Sequence, residues 1–180
     1  MDKTLAHSPE YKPTSQKPLN CKYKHGTVHP MFKEILIGLD GSESSLHALS
    51  YAIHLAQQNK AKLHIVTAAE PLPPLAYDGV GGAPAYIPQY QDDLHDGLEK
   101  MQNEQLAKLK KEYPDVQITG EVIDGRPAHV IRDAMGNADL IVIGHRGHGG
   151  ILSWVLGSVA KEIVDNCSVP VLVVKNKDYC

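Results

Sequence analysis

The sequence predicts an α/β protein in which a parallel β-sheet is covered on both faces by helices. Short apolar, β-branched runs alternate with segments of helical periodicity from Phe32 onward. Strands that alternate with helices in this way are joined by right-handed crossovers and form parallel sheets. The chain has 180 residues, 42% of them hydrophobic, which suffices for one domain with a substantial core.

The first half of the chain predicts two strands that flank a helix. The run Phe32–Leu39 is a first strand, and Asp40-Gly41-Ser42 ends it. Ser42 is a suitable N-cap for a helix whose apolar residues recur at helical spacing through about Asn59. A second strand is predicted at Lys62–Thr67.

The second half continues the alternation with three further helices and three further strands. Proline ends the long amphipathic helix, and another proline suits the first turn of the next one. These elements are helix Asp92–Tyr113, strand Val116–Ile123, helix Ala128–Met135, strand Leu140–Ile143, helix Ser158–Asn166 and strand Val169–Val174.

Two segments fall outside this alternation. Residues 1–30 contain four prolines, five lysines and two acidic residues, and show no apolar periodicity. We interpret them as a flexible extension preceding a domain at residues 31–180. The segment Ala68–Tyr90, rich in proline and glycine, is longer than an ordinary connection. It predicts either a functional mobile loop or a disordered insertion.

Composition narrows the class of protein. The formal net charge of −3, without a dense basic patch, argues against a nucleic-acid partner. No apolar run reaches the length of a membrane span, so no membrane association is expected. The three cysteines have neither metal-binding nor redox spacing. A reducing, cytoplasmic location fits this cysteine content.

A glycine-containing segment between the strand ending at Ile143 and the helix starting at Ser158 predicts a phosphate site. Gly144 and Gly147 follow the strand, and Gly157 directly precedes the helix. Backbone N–H groups at a helix start, together with the helix dipole, favour bound phosphate. Two simpler interpretations stay open. The glycines could serve backbone conformations with positive φ, and Ser158 could be an ordinary capping residue.

This set of residues resembles the universal stress protein family, in its ATP-binding branch (UspA-like). The resemblance covers about residues 31–175, and its motifs occur in the family's order. The matching motifs are Gly144, Gly147, Gly157 and Ser158; Asp40-Gly41-Ser42; Asp124-Gly125-Arg126-Pro127-Ala128; Ala138–Gly144; and Cys167–Val174.

The resemblance implies a Rossmann-like, three-layer α/β/α fold with a five-stranded parallel sheet. It further implies a homodimer that pairs through Val169–Val174, and a stress sensor or adaptor rather than an efficient enzyme. The implied ligand is ATP, with Mg²⁺ or Mn²⁺ held mainly by the phosphates. The expected nucleotide-binding residues are Leu39, Asp40, Ile65, Gly144, Arg146, Gly147, Gly157, Ser158, Val159 and Ala160.

Several of these assignments have alternatives. The resemblance implies that Asp40 faces the nucleoside, but an aspartate before glycine is equally typical of an Asx turn. Arg146 could pair with phosphate oxygens, whereas His145 and His148 are expected to face solvent rather than bind metal. Ala160 stands where the ATP-binding branch often has a hydroxyl residue. A protein that binds AMP or a cyclic nucleotide therefore remains an alternative function. A slow metal-dependent ATPase is a second, separate alternative.

Overall fold

A parallel sheet forms the centre of the molecule. The computed structural model describes residues 31–71, 86–147 and 156–175, with the side chains of residues 86–90 excepted. Within these ranges the five strands are β1 (Glu34–Gly38), β2 (Lys62–Ala69), β3 (Ile118–Asp124), β4 (Leu140–Gly144) and β5 (Val171–Val174). The four helices described there are α1 (Glu43–Asn59), α2 (Tyr86–Glu112), α3 (Pro127–Asp133) and α4 (Ser158–Asn166).

The strand order creates a switch point beside β1. The order is β3-β2-β1-β4-β5, and every neighbouring pair is parallel. Ile37 of β1 is opposite Ile65 of β2 on one side and Val142 of β4 on the other. The chain therefore adds β2 and β3 on one side of β1, and β4 and β5 on the other. Such a switch point opens a crevice beyond the carboxyl ends of the strands. The predicted three-layer fold is confirmed.

Side-chain alternation along the strands divides the core into two layers. Ile35 and Ile37 face α1 and α2, where Leu106 of α2 joins them. Leu36 and Ile141 point to the opposite face and pack with residues of α3 and α4. Successive residues of a strand point to opposite faces, so a parallel sheet covered by helices buries both sets.

Some element boundaries differ from the prediction. Helix α2 begins at Tyr86 rather than Asp92, because Pro88 falls in its first turn, where no intrahelical N–H bond is needed. Strand β2 continues to Ala69. Most of the predicted loop between them, residues 72–85, lies outside the described residues. Strand β5 begins at Val171 rather than Val169, because the preceding proline, Pro170, has no N–H group for the ladder.

Other local predictions are confirmed. Ser42 is the N-cap of α1, and its side chain accepts a hydrogen bond from the Ser45 N–H. Helix α4 spans the residues that the sequence predicts. Within the described ranges, no helix is both long enough and apolar enough to cross a membrane. The predicted extension, residues 1–30, is not among the described residues.

Candidate functional site

A crevice of about 850 Å³ lies beyond the carboxyl ends of β1, β2 and β4. The start of α4 borders it, and Leu94 and Leu98 of α2 line it from the other side. Nine of the ten residues that the sequence nominates lie along its wall: Leu39, Asp40, Gly144, Arg146, Gly147, Gly157, Ser158, Val159 and Ala160. The volume lies in the range of small-molecule sites.

Ile65 is the exception, because its side chain lies in the core instead of at the crevice. It is fully buried among the residues that pack under α1 and α2. Ile65 lies too far back along β2 to reach the open end of the sheet. Its place at the wall is taken by Val66, Thr67 and Ala68, which come nearer the end of the strand.

Asp40 forms a turn and also lines the crevice. Its Oδ1 accepts hydrogen bonds from the Ser42 N–H at 2.9 Å and from the Ser42 Oγ at 2.6 Å. The bond to the amide two residues ahead defines an Asx turn, one of the two roles that the sequence left open. Because the turn fixes the carboxylate at the edge of the crevice, the second role is compatible with the first.

The glycines of the β4 loop allow close backbone packing. A Cβ at Gly144 would lie 2.5 Å from Ser44 Oγ, and a Cβ at Gly147 would lie 2.5 Å from Asp40 Oδ2. Neither glycine, nor Gly157, has a positive φ angle, so the interpretation based on positive φ does not apply to them. A side chain at these positions would push the loop away from α1 and the turn before it.

Hydrogen bonds tie two consecutive carbonyl groups of this loop to two different helices. The Arg146 carbonyl accepts from the Ser44 hydroxyl, in the first turn of α1. The His145 carbonyl accepts from the Gly157 N–H at 2.9 Å, at the start of α4. The loop thus fixes the N-terminal ends of α1 and α4 relative to each other.

His145 lies beneath the loop and is only 2% exposed. The prediction that it faces solvent is therefore wrong, because its N–H bond to the Val174 carbonyl, at 2.8 Å, holds the segment against β5. Burial lowers the pKa of the imidazole, and the positive charges of Arg146 and Lys175 lower it further. His148 lies outside the described residues.

The start of α4 has backbone donors that make no side-chain hydrogen bond with its N-cap residue. Gly157 is its N-cap and supplies no side-chain hydrogen bond. The N–H groups of the first helical residues, Ser158, Val159 and Ala160, have no acceptor within the helix. All three residues line the crevice. Helix α1 differs, because its N-cap Ser42 engages the Ser45 N–H.

Sequence reasoning missed a buried polar pair behind the wall. Gln102 of α2 is 2% exposed, and its Nε2 lies 3.2 Å from Thr67 Oγ1. Gln102 occupies the apolar stripe of α2 between Leu98 and Leu106, and a polar residue in such a stripe is the signal that could have identified it. Thr67 gave no comparable signal, since threonine is common in strands.

Metal binding receives no support from the protein side chains that are described. Residues 31–71, 86–147 and 156–175 contain no group of three or more His, Cys, Asp or Glu side chains arranged to hold an ion. A cation at this crevice would therefore depend on ligand oxygens and water for most of its coordination.

Similarity to known proteins agrees with the fold. A model of the universal stress protein family matches residues 31–175. A universal stress protein of Thermus aquaticus is 35% identical over 150 residues, which are 81% of this chain and 100% of the relative. The chain spans only 45% of a longer universal stress protein of Mycobacterium tuberculosis.

Two solved structures show the same architecture. The universal stress protein UspA of Lactobacillus plantarum superimposes with a TM-score of 0.64 at 23% identity, covering 79% of this chain and 97% of that one. A universal stress protein in complex with cAMP has a TM-score of 0.50 at 27% identity, covering 79% and 96%. The family match over residues 31–175, together with the relative from Thermus aquaticus, shows that this chain belongs to the universal stress protein family.

Proposed function

We propose that this chain binds an adenine nucleotide, ATP, in the crevice, with the phosphates at the start of α4. The observation that supports this most strongly is that the start of α4, whose N-cap makes no side-chain hydrogen bond, lies beside a glycine-containing loop at the switch point of the sheet. Donors at a helix start attract phosphate through both hydrogen bonds and the helix dipole.

The phosphate end of the crevice would combine neutral and charged donors. The N–H groups of Ser158, Val159 and Ala160 are available to phosphate oxygens, and the Ser158 hydroxyl adds a further donor. Arg146 lines the same part of the wall and brings a positive charge. Charge-assisted hydrogen bonds from a guanidinium to phosphate are among the stronger polar contacts in proteins.

The opposite end suits a nucleoside. Leu39 directly follows β1, Val66 comes from β2, and Leu94 and Leu98 come from α2, so these parts of the wall are apolar. A purine ring would bury apolar surface against these side chains. Asp40 lies between the two ends, where its carboxylate can accept hydrogen bonds from ribose hydroxyls in addition to those of its own turn.

AMP or a cyclic nucleotide is the second candidate ligand. Ala160 contributes no hydroxyl to the phosphates, which removes one contact that a longer phosphate chain could use. The 27% identical universal stress protein, described in complex with cAMP, also favours this candidate. The lost contact amounts to about 0.5–1.5 kcal/mol, too little to decide between the candidates by itself.

Titration calorimetry with ATP, AMP, cAMP and GTP, each with and without Mg²⁺, tests the proposal. We expect saturable binding of ATP that Mg²⁺ strengthens, with GTP bound more weakly. Tighter binding of AMP or cAMP than of ATP would favour the second candidate. No binding of any of the adenine nucleotides would refute the proposal.

We further propose that the protein acts as a dimer whose nucleotide occupancy is sensed by a partner protein. Strand β5 pairs only with β4 in the described chain, and Val171, Leu172 and Val173 are half-buried along this edge. An apolar edge strand is suited to coverage by a second copy. Light scattering is expected to give twice the mass of one chain, and a monomer at micromolar concentration would contradict the dimer.

A further inference from the structure

Thr67 places a buried hydroxyl group at the wall of the crevice. The residue lies near the end of β2, is 1% exposed and borders the cavity. Its Oγ1 lies 3.2 Å from Gln102 Nε2. The direction of this hydrogen bond determines where the hydroxyl hydrogen can point.

The surroundings of Gln102 fix the direction of that bond. Its Nε2 lies 3.2 Å from the Ile65 carbonyl oxygen and 3.0 Å from the Glu121 carbonyl oxygen. Carbonyl oxygens can only accept, so the amide nitrogen and not the amide oxygen must face them. Nε2 has two hydrogens for these three acceptors, so Thr67 Oγ1 shares one of them with a carbonyl oxygen. An amide nitrogen does not accept hydrogen bonds, so the Thr67 hydroxyl cannot donate to Gln102 Nε2.

The hydroxyl hydrogen of Thr67 must therefore point away from Gln102. Within residues 31–71, 86–147 and 156–175, no acceptor for this hydrogen is found, since the bond from Gln102 is the side-chain hydrogen bond that Thr67 makes there. A buried donor without an acceptor is costly, so water or a ligand in the crevice has to supply one.

The acceptor is expected on the base of a nucleotide rather than on its phosphates. Thr67 lies on β2, on the opposite side of β1 from β4, which leads to the phosphate-binding start of α4. The neighbouring wall residues Leu39, Val66 and Leu98 are apolar. A hydroxyl donor among these apolar neighbours selects molecules that present an acceptor at that point.

We propose that Thr67 is a specificity-determining residue whose hydroxyl donates a hydrogen bond to a ring nitrogen of the bound purine. Gln102 is a positioning residue that orients this hydroxyl towards the crevice. The inference rests on the proposed nucleotide-binding function and extends it to recognition of the base.

Two substitutions of Thr67 distinguish the contribution of its hydroxyl group from that of its side-chain shape. Thr67→Val keeps the side-chain volume and removes the donor, and Thr67→Ser keeps the donor. We expect ATP to bind about tenfold more weakly to Thr67→Val, and with little change to Thr67→Ser. Thr119→Val makes the same change on β3, outside the crevice, and serves as the matched control.

ATP analogues in which one ring nitrogen at a time is replaced by C–H test the same contact in the unmodified protein. One analogue should bind the unmodified chain about tenfold more weakly than ATP does. The affinity of that analogue should be the same for Thr67→Val as for the unmodified chain. Such a result would support the inference without depending on how well the variant folds.

Two results would overturn the inference while leaving the proposed function intact. The first is equal ATP affinity of Thr67→Val and the unmodified chain. The second is an equal loss in Thr67→Val for ATP and for every analogue. Absence of ATP binding by the unmodified chain would instead refute the proposed function, and the inference with it.

Discussion

The hydroxyl of Ser44 donates a hydrogen bond to the carbonyl of Arg146, across the gap between α1 and the β4 loop. Ser44 is buried, and Gly144 packs directly against it. The next carbonyl back along the loop, that of His145, accepts from the Gly157 N–H. The phosphate-binding geometry that we propose at α4 is therefore built on a contact made by α1.

Removal of that contact should loosen the loop. Ser44→Ala removes the nearer of two hydroxyl groups at the Arg146 carbonyl and leaves the Ser42 Oγ at 3.4 Å, and we expect a loss of about 1 kcal/mol in the free energy of unfolding. ATP affinity should fall about threefold to tenfold, because the loop would be held less firmly against α1. Calorimetry and denaturant unfolding measure the two effects.

Ser50→Ala is the matched control for this prediction. Ser50 lies on the exposed side of the same helix, and its hydroxyl donates only to the His47 carbonyl within α1. We expect ATP affinity to be unchanged in this variant. Equal affinities of Ser44→Ala and Ser50→Ala would show that the loop keeps its geometry without the Ser44 contact.

A negative charge at the start of α4 should oppose nucleotide binding without harming the fold. Ser158 is exposed and occupies the first helical position. In Ser158→Glu the carboxylate would favour the helix dipole by about 0.3–1 kcal/mol and would repel phosphate from the same donors. We expect at least about a tenfold loss of ATP affinity with unchanged or slightly increased thermal stability.

Ser168→Glu introduces the same charge beyond the other end of α4. Ser168 is exposed and does not border the crevice. Its variant should bind ATP like the unmodified chain. If the two glutamate variants bound ATP equally well, the phosphates could not lie at the start of α4.

Acidification should destabilise the fold through His145. Its folded-state pKa is lowered, chiefly by burial and then by Arg146 and Lys175. As the pH falls below about 6.5, the unfolded chain binds a proton more readily than the folded one, so stability decreases through this window. Denaturant unfolding at about pH 7.5 and about pH 5.5 measures the loss.

His145→Gln isolates this contribution, because glutamine is polar but does not titrate. The variant should lose less stability than the unmodified chain over the same pH interval, whatever its stability at neutral pH. An equal loss in both proteins would show that groups other than His145 cause the pH dependence. His95 acts in the opposite direction, because its bond to Asp124 raises its pKa and its protonation stabilises the folded chain as the pH falls.

Local signals in the sequence sufficed for the topology and for most of the wall. The alternation of strands and helices predicted the parallel sheet, and Gly157-Ser158 predicted the start of α4. These features depend on near neighbours in the chain. For the same reason the N-cap at Ser42 was correctly predicted.

Burial and contacts between residues far apart in the sequence could not be predicted in the same way. Alternation along β2 gives the face on which Ile65 lies, but not how far it is from the open end of the strand. Burial of His145 depends on a backbone bond to Val174, 29 residues away in the chain. The packing of Ser44 against Gly144 likewise requires that β1 and β4 be neighbours.

The most direct test of the central claim is amide NMR during a titration with ATP and Mg²⁺. Phosphate oxygens that accept hydrogen bonds at the start of α4 should shift the amide resonances of Ser158, Val159 and Ala160 strongly and saturably, with smaller shifts in the second half of α1. Saturable ATP binding that leaves these amides unmoved, with the large shifts elsewhere, would contradict the account.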